Sequence, residues 1–519
     1  MKLPAAILFI LCIDGWSQSN RVLDARGTLS LQQALESTLA FHPQLHLQEE
    51  QVKVSRGMLL QASSQFDMTL QASATEGRAY LPLDSVTESE LGPGSASSTI
   101  TDSLGMGAGG TQLFRNGMSF GPTVTLNRTA DNLATTYGAN RSQTSLQLTV
   151  PLLRGAGRDV VTANEKAAGL GVDASVFDVN QTMADLLANT ALAYWNLVST
   201  ERLLEVLAGS EARGKAIVEN VATLIAADQI PRSDLAEVSA NLAQRTGARI
   251  AAEQQVVSAR QQLALAMGLP QDRLLSLPDP ADPLPVASTE AIPLPEAVPQ
   301  FINMALTRRA DLMSLKRRAL AADTLVLPAK NSLKPQVNLV FTGGYSGYRE
   351  GNTPGSVLLA PFVGAHGPDV SGGITYSFPL GNRNAIGAVM QAEAGSRQAQ
   401  LRIDDAARTA SSNVIVAYEA LRSTALQLER AREAVRLFQS ALDNEREKYR
   451  LGVSSLIDIL TVEDRLTGSL TAQVQADGAY ASALAQLRSA TGTIVEPDRQ
   501  VQSPDASRFA RVPTGPGKP

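Results

Sequence analysis

The sequence has 519 residues, and its 45 Lys and Arg against 50 Asp and Glu give a net charge of −5 at neutral pH. A small charge spread along the chain argues against a nucleic-acid-binding protein, which needs a concentrated basic surface. Aromatic residues make up only 4%, while Ala, Leu, Gln, Glu and Arg dominate long stretches, as is typical of long thin helices.

The N-terminus has the pattern of a secretory signal peptide, predicted to cover residues 1–19. Lys2 is followed by an apolar run from Leu3 to Ile13 and then by small residues that suit cleavage. A buried N-terminal helix is the alternative. Cys12, the only cysteine, follows Leu11 rather than a small residue, which argues against lipidation, and its removal leaves no cysteine for disulfides or thiolate metal sites.

The first half of the mature chain changes its hydrophobic period several times. Residues 28–64 have helical periodicity, and from 66 to 74 apolar and polar residues alternate as in a strand. Residues 76–102 are rich in Gly, Pro, Ser and acids, and predict an exposed loop. Strand-like runs at 103–128 surround an Asn-Gly turn, and a further strand follows at 145–152.

Two long helices come next. Residues 158–226 contain no proline and predict a helix of about 100 Å at 1.5 Å per residue. Its partner covers 232–267, and the two are joined by a short turn. Residues 269–295 contain seven prolines and predict an extended linker.

The second half repeats this plan over residues 296–492, followed by a tail at 493–519 that is predicted to be disordered. Its elements are helices at 296–331, a strand at 337–342, a Gly-rich loop at 343–369, a strand at 374–380, and helices at 385–450 and 456–491.

A single spacing of 224 residues relates the two halves. It joins the following pairs without a gap: Tyr194 with Tyr418, Leu204 with Leu428, Asn220 with Asn444, Asp234 with Asp458, and Gly268 with Gly492. Tyr, Asn, Asp and Gly in register are not expected by chance. The chain is therefore predicted to be an internal duplication, with the first structural repeat at 20–268 and the second at 296–492, each contributing one helical hairpin.

The second hairpin turns at residues 451–455. Gly452 can adopt a positive φ at the end of one helix, and Ser454 or Ser455 can cap the next. Asp458 lies just beyond this tip, and Asp234 holds the same place in the first repeat. An aspartate on a helix is most often solvated surface, so the residues alone leave a surface role and a site role open.

The strands suggest how the chain meets a membrane. No segment after the N-terminus approaches 18 consecutive apolar residues, whereas each strand is long enough to cross a bilayer when tilted. One chain has too few strands to close a barrel, and an open edge cannot lie in lipid. Copies must therefore share their strands, and three copies with four strands each would give twelve. Residues 103–128 either add strands or form a hairpin outside the membrane; we favour the hairpin, because Pro122 is awkward in a paired strand and the second half has no counterpart.

Several motifs, in order and in both halves, resemble the TolC-like outer membrane efflux proteins. The motifs are Thr28 to Leu35 with His42 to Leu45, Pro151 to Gly155, Ala193 to Leu197, Arg309 to Leu312, and Gly452 to Asp458. The resemblance implies a mainly α fold with β: coiled-coil hairpins forming a periplasmic tunnel, joined to a trimeric twelve-stranded transmembrane barrel.

The resemblance also implies a function and partners. It implies the exit duct of a tripartite efflux pump in the bacterial outer membrane, working as a homotrimer. A periplasmic adaptor (membrane fusion) protein and an inner-membrane transporter are the implied partners, besides outer membrane lipid. Type I protein secretion is an alternative for the same duct, and a non-transporting coiled-coil surface protein is an alternative of another class.

Site residues are carried over from the same resemblance. Asp458 corresponds to an aspartate ring at the periplasmic constriction, whose second position is Thr461 here. Tyr449 and Asp234 correspond to a bonded pair that helps to close the tunnel, and Ser454 replaces an arginine of that lock. The implied adaptor-contacting tip comprises Leu451, Gly452, Val453, Ser454 and Asp228.

No catalytic constellation of acid, base and nucleophile is evident in the sequence, so an enzyme is not predicted. His42, His46 and His366 are scattered along the chain and predict neither a metal site nor a cofactor.

Overall fold

A computed structural model describes most of the chain after the N-terminal segment, and the predicted signal peptide lies outside the described residues. The described residues are 27–84, 86–87, 90, 96–133, 138–228, 231–274, 277–286, 292–495 and 504–513. They form two compact units. The helical unit contains 27–52, 174–315 and 402–513, and the sheet unit contains 53–173 and 316–401, within those described ranges.

The sheet unit is built on six antiparallel strands in sequential order. They are β1 Thr69–Pro82, β2 Ser98–Leu113, β3 Ser119–Asp131, β4 Ala139–Pro151, β5 Gln336–Glu350 and β6 Ala365–Ser377. Successive side chains in a strand point to opposite faces, so the register decides which residues share a face. Ser73 pairs with Gly107 and Gly107 with Thr125, while their neighbours Ala72, Ala108 and Val124 pair with one another. The alternation predicted from the sequence thus produces one polar and one apolar face.

Residues 103–128 belong to this sheet as added strands, which is the alternative that the sequence analysis did not favour. β2 and β3 are paired on both sides, with β1 and β4 as outer neighbours. Pro122 is accommodated because it pairs with Leu146 of β4 while the pairing of β3 with β2 is interrupted between Thr123 and Phe120. A proline lacks the N–H that a ladder requires on one side only.

The strands also extend into segments that were predicted to be loops. β1 and β2 reach into the predicted loop 76–102, and β5 and β6 into the predicted loop 343–369. Glycine accounts for the second error. A Cβ on Gly347 would lie 2.1 Å from the carbonyl oxygen of Ala360, and one on Gly344 would lie 2.9 Å from that of Thr144. Gly344 permits close approach of the neighbouring strand, and Gly347 permits close approach of the backbone at Ala360, which lies outside the sheet.

The helices fall where the apolar periodicity placed them, except for the short helix Pro354–Leu359, which lies in the predicted loop 343–369. Their bounds are α1 Leu31–Phe41, α2 Pro43–Ser63, α3 Arg158–Val161, α4 Ala163–Ala226, α5 Ser233–Ala266, α6 Val298–Arg308, α7 Ala310–Thr324, α8 Val326–Asn331, α9 Pro354–Leu359, α10 Arg383–Arg450 and α11 Leu456–Ala490. α4 and α5 form one hairpin and α10 and α11 the other, which confirms the predicted long helical hairpins. None of the described helices is long and apolar enough to cross a bilayer.

Equivalent tyrosines anchor the two hairpins in the helical unit. Tyr194 and Tyr418 are buried, and each hydroxyl donates to a backbone carbonyl, that of Leu29 at 2.9 Å and that of Pro293 at 2.8 Å. Buried hydroxyls need such partners. Burial raises the pKa of the Tyr194 phenol. The two tyrosines thus fix the start of each repeat, one of them through the proline-rich linker.

The described residues of that linker, 269–274, 277–286 and 292–295, are held in place. The N–H of Leu29 donates to the carbonyl of Asp279, and the N–H of Ala281 donates back to Leu29, at 2.8 and 2.9 Å. Leu277 and Leu284 are buried against the first hairpin. The described part of the linker therefore contributes to the core.

The tail was predicted to be disordered from residue 493, and the structure corrects this. Ile494 and Val495 are buried, and residues 506–510 form a 3₁₀ helix that places Phe509 in the core with 2% of its surface exposed. Gln32 of α1 secures the segment: its amide donates to the carbonyl of Pro504 at 2.6 Å and accepts from the N–H of Ala506 at 3.0 Å. The tail is polar and rich in proline, but Phe509 gives it an apolar side chain that packs in the core. The composition of the tail did not indicate this contact.

Candidate functional site

The tip of the second hairpin is built by two capping motifs in succession. α10 ends in a Schellman motif. The N–H of Gly452 donates to the backbone carbonyl of Tyr449 at 2.9 Å, and the N–H of Val453 donates to that of Lys448 at 3.0 Å. Gly452 has φ 75°, a conformation that glycine adopts without strain. The predicted role of Gly452 in the turn is confirmed.

Asp458 belongs to the second motif, a capping box at the start of α11. Its carboxylate accepts from the N–H of Ser455 at 3.0 Å, and its own N–H donates to the Ser455 hydroxyl at 3.2 Å. The Ser455 hydroxyl also donates to the carboxylate at 2.6 Å. These bonds, the one from the hydroxyl first, hold the pKa of Asp458 below its usual range. Asp458 is therefore an exposed, ionised carboxylate in a fixed orientation.

The surface of this tip is apolar at its outermost point. Leu451 and Val453 are 67% and 73% exposed. The Ser454 hydroxyl donates to Glu445, and this bond, with support from Lys448, lowers the pKa of the Glu445 carboxyl. Ser454, for which the resemblance implies the replacement of an arginine, is thus engaged within its own hairpin.

The first tip, in its described residues up to Asp228 and from Pro231 onward, has different residues at the equivalent positions. Asp228 takes the place of Gly452 and has φ 55°, and its N–H donates to Ile225 at 3.0 Å. The counterpart of Ser455 is Pro231, which has no hydroxyl, so α5 begins without a side-chain cap. Asp234 instead accepts from the Ser233 hydroxyl at 3.1 Å. Both aspartates lie just past their tips, but only Asp458 is part of a capping box.

Tyr449 lies half-buried in the last turn of α10. It packs against a small apolar cluster that includes Leu442 and Ile459, and it lines a cavity of about 570 Å³ together with Asn220 and Leu456. Among the described residues of one chain, no hydrogen bond joins Tyr449 to Asp234. The gate roles of these residues stay predictions.

A charged cluster in the same region was not predicted. Glu463 of α11 is completely buried, and its two carboxylate oxygens accept from Arg213 of α4 and Arg446 of α10, both at 2.8 Å. Arg245 of α5 lies 3.9 Å away. A buried carboxylate is tolerated only when it is paired and hydrogen-bonded, and here two arginines from different hairpins meet that requirement.

The neighbouring Asp464 completes this connection. It accepts from Arg245 at 2.8 Å and from Asn241 at 3.2 Å, both on α5. Side chains from all four long helices therefore meet at two adjacent carboxylates. In the sequence, the cluster is visible only as a difference between the repeats. The positions equivalent to Glu463 and Arg213 hold Ser239 and Leu437, so the cluster departs from the internal symmetry.

The comparisons with known proteins agree with this architecture. Residues 301–493 match the family model described as outer membrane efflux protein, which confirms the resemblance for this part of the chain. A search of curated protein sequences finds no match. Among the described residues, no group of side chains has the composition of a metal site.

Solved structures extend the likeness to nearly the whole chain. The outer membrane channel CmeC of Campylobacter jejuni is 16% identical, with a TM-score of 0.65 over 91% of this chain and 87% of that one. VceC, an outer membrane protein of Vibrio cholerae, is 17% identical, with a TM-score of 0.64 over 92% and 98%. The open state of the Neisseria gonorrhoeae channel MtrE is 18% identical, with a TM-score of 0.61 over 91% of each chain. The fold is that of the outer membrane efflux channels.

Proposed function

We propose that this protein is the exit duct of a tripartite efflux pump, which conducts small molecules passively out of the cell through the bacterial outer membrane. One observation carries the proposal. One chain contains both a two-faced sheet with two unpaired edges, β1 and β6 of the described strands, and two long helical hairpins. The match of residues 301–493 to the efflux family supports this function.

The sheet requires more than one copy of the chain. In hydrocarbon, every backbone N–H and C=O needs a partner, so an open edge is not stable there. The edges of β1 and β6 gain those partners when copies assemble into a ring. The proposed assembly is a homotrimer, with the apolar faces of its sheets toward outer membrane lipid and the polar faces toward an aqueous channel.

The hairpin tips are the proposed gate and docking site. Asp234 and Asp458 would place up to six carboxylates of a trimer near one narrowing, where a ring of like charge concentrates positive potential. Tyr449 would supply a phenol to these carboxylates when the copies close together. The exposed apolar tip at Leu451 and Val453, with Gly452, Ser454 and Asp228, would contact a periplasmic adaptor, behind which an inner-membrane transporter supplies the energy.

Recordings in planar bilayers test the channel and the gate together. The purified wild-type protein should form cation-preferring channels that multivalent cations block. Asp458→Asn should reduce both the preference and the block, because the substitution removes three carboxylates from the proposed ring. Glu447→Gln, an exposed carboxylate of α10, is the control and should change neither.

Two results would contradict the proposal at different levels. If no channels form and native mass measurement finds a monomer in detergent, the proposed duct is wrong. The alternative of a non-transporting coiled-coil surface protein is then favoured. If channels form but Asp458→Asn leaves their selectivity unchanged, only the proposed carboxylate ring is wrong. A gene deletion tested against antibiotics, dyes, metals and secreted proteins then separates small-molecule efflux from type I secretion.

A further inference from the structure

The strand pair β2–β3 has no counterpart in the second repeat, which contributes only β5 and β6. Both strands nevertheless lie in the interior of the sheet order, between β1 and β4. A pair added after the duplication as an external decoration would be expected at an edge or on a loop. Its position means that β1 and β4, which would otherwise be adjacent, are held apart by two strands.

The faces of the sheet run through the additional pair without interruption. One row of paired residues crosses all six strands on the polar face and comprises Ser73, Gly107, Thr125, Gln143, Ser346 and Gly367. The adjacent row on the other face is mostly apolar and comprises Ala72, Ala108, Val124, Thr144, Tyr345 and Pro368. A hairpin in water would have no reason to keep the same two-faced pattern.

β2 is adapted to this position by its glycines. Gly105, Gly107 and Gly109 alternate along the strand and so lie on the polar face, opposite Thr75, Ser73 and Gln71 of β1. A Cβ on Gly105 would lie 2.9 Å from the Thr75 hydroxyl, and one on Gly109 would lie 3.0 Å from the Thr123 methyl. The hydroxyl-rich strands on either side thus close over residues 105–109 of β2, which have no side chains on that face.

We infer that all six strands of each copy enter the transmembrane barrel, so that the trimer closes eighteen strands instead of twelve. The inference rests on the trimeric channel proposed above. An even count of this size lies within the range of outer membrane barrels. The diameter of a barrel grows roughly in proportion to its strand number, so this pore would be about 1.5 times as wide as one of twelve strands.

The width has a consequence for selectivity. A barrel of about eighteen strands encloses an aqueous channel rather than a lumen filled by side chains. The membrane-spanning part then imposes little restriction on bulky polar solutes. Selection by size and charge falls to the hairpin tips, where Asp234 and Asp458 lie.

Cysteine labelling in native outer membranes tests whether β3 crosses the bilayer. Val124→Cys and Thr125→Cys place thiols on opposite faces of β3, and Leu146→Cys and Gln147→Cys do the same on β4 as matched controls. The background is clean, because the only natural cysteine is Cys12. A charged, membrane-impermeant thiol reagent should label Thr125→Cys faster than Val124→Cys by on the order of ten-fold, because hydrocarbon excludes charge. A fluorophore on residue 124 should be quenched by brominated lipid.

The β4 controls separate failure of this inference from failure of the proposed function. If the β4 thiols differ while the β3 thiols react alike and escape quenching, β2–β3 lies outside the bilayer and the inference is wrong, although the channel stands. If the β4 thiols also react alike, the proposed channel itself is wrong. Electron microscopy of the unsubstituted trimer in nanodiscs avoids any folding defect: eighteen strands support the inference, and twelve overturn it.

Discussion

The tips of the two helical hairpins reverse the chain at equivalent positions, Asp228 with φ 55° and Gly452 with φ 75°, yet they are held by different chemistry. The second tip combines a Schellman motif, a capping box and, close behind them, the buried carboxylate of Glu463. In the first tip, the strained Asp228 takes the place of Gly452, and Pro231 takes the place of Ser455. Both repeats keep a turn at this position. The Schellman motif and the capping box are found in the second repeat.

The largest expected effect comes from making the second hairpin resemble the first at the charge cluster. Glu463→Ser introduces the residue found at the counterpart position and leaves Arg213 and Arg446 without their shared carboxylate. Because Arg213 and Arg446 are 32% and 49% exposed and stay partly solvated, the loss should be about 1.5–3 kcal/mol, the contribution of hydrogen bonds to a charged group. Denaturant unfolding in detergent measures the loss of unfolding free energy.

The control for this change is Glu447→Ser, since Glu447 pairs with Arg450 at the surface and its side chain is 52% exposed. Exposed pairs contribute about 0–1 kcal/mol. An equal, small loss in both variants would mean that the cluster does not join the hairpins.

A reciprocal exchange at the turn tests the backbone difference. Gly452→Asp should destabilise the protein by about 1 kcal/mol, the cost of a Cβ in the left-handed region. No atom lies within 4 Å of a Cβ built there, so the cost is conformational alone. Asp228→Gly should have the opposite sign. Thermal unfolding of both variants measures the pair, and a loss in both would show that the Asp228 side chain is needed in its own turn.

Loss of the capping serine comes next in size. Ser455→Ala removes the acceptor for the N–H of Asp458 and should cost about 1 kcal/mol. Ser233→Ala is the matched control in the first hairpin, because its hydroxyl caps no backbone N–H, and it should be near neutral. Similar losses in the two variants would contradict the capping assignment.

The pH dependence of the Ser455→Ala effect follows from the lowered pKa of Asp458. A carboxyl whose pKa is lower in the folded state contributes stability above its unfolded pKa and loses that contribution as the pH falls through the folded value. The difference between wild type and Ser455→Ala should therefore shrink on the acid side of the usual aspartate range. A difference that grew with acidity would reverse the assigned sign.

The smallest effect is expected from Tyr449→Phe. The hydroxyl has no partner among the described residues of one chain, so the unfolding free energy of the chain should change by less than about 0.5 kcal/mol. Single-channel conductance should rise, because the proposed contact with a carboxylate in the assembled trimer is lost. Unchanged conductance would leave Tyr449 as a packing residue.

Local patterns determined how much of this architecture could be predicted. The helical hairpins followed from apolar periodicity and the 224-residue offset, and the cap at Ser455 from its place before α11. The inclusion of β2–β3 in the sheet could not follow, because the effect of Pro122 depends on which neighbour faces its missing N–H. The cluster at Glu463 was equally inaccessible, since Arg213 is 250 residues away in sequence and only folding shows that they meet.

The attachment of the tail to α1 bears on how the chain folds. Gln32 is separated by 472 and 474 residues from Pro504 and Ala506, two of the residues that bond its amide. Helix α1 emerges among the first segments of a growing chain, but its final contacts wait until nearly all of the polypeptide has been synthesised. Contacts of such long sequence separation form slowly. The N-terminal helix would thus stay incompletely packed until the segment around Phe509 has been synthesised.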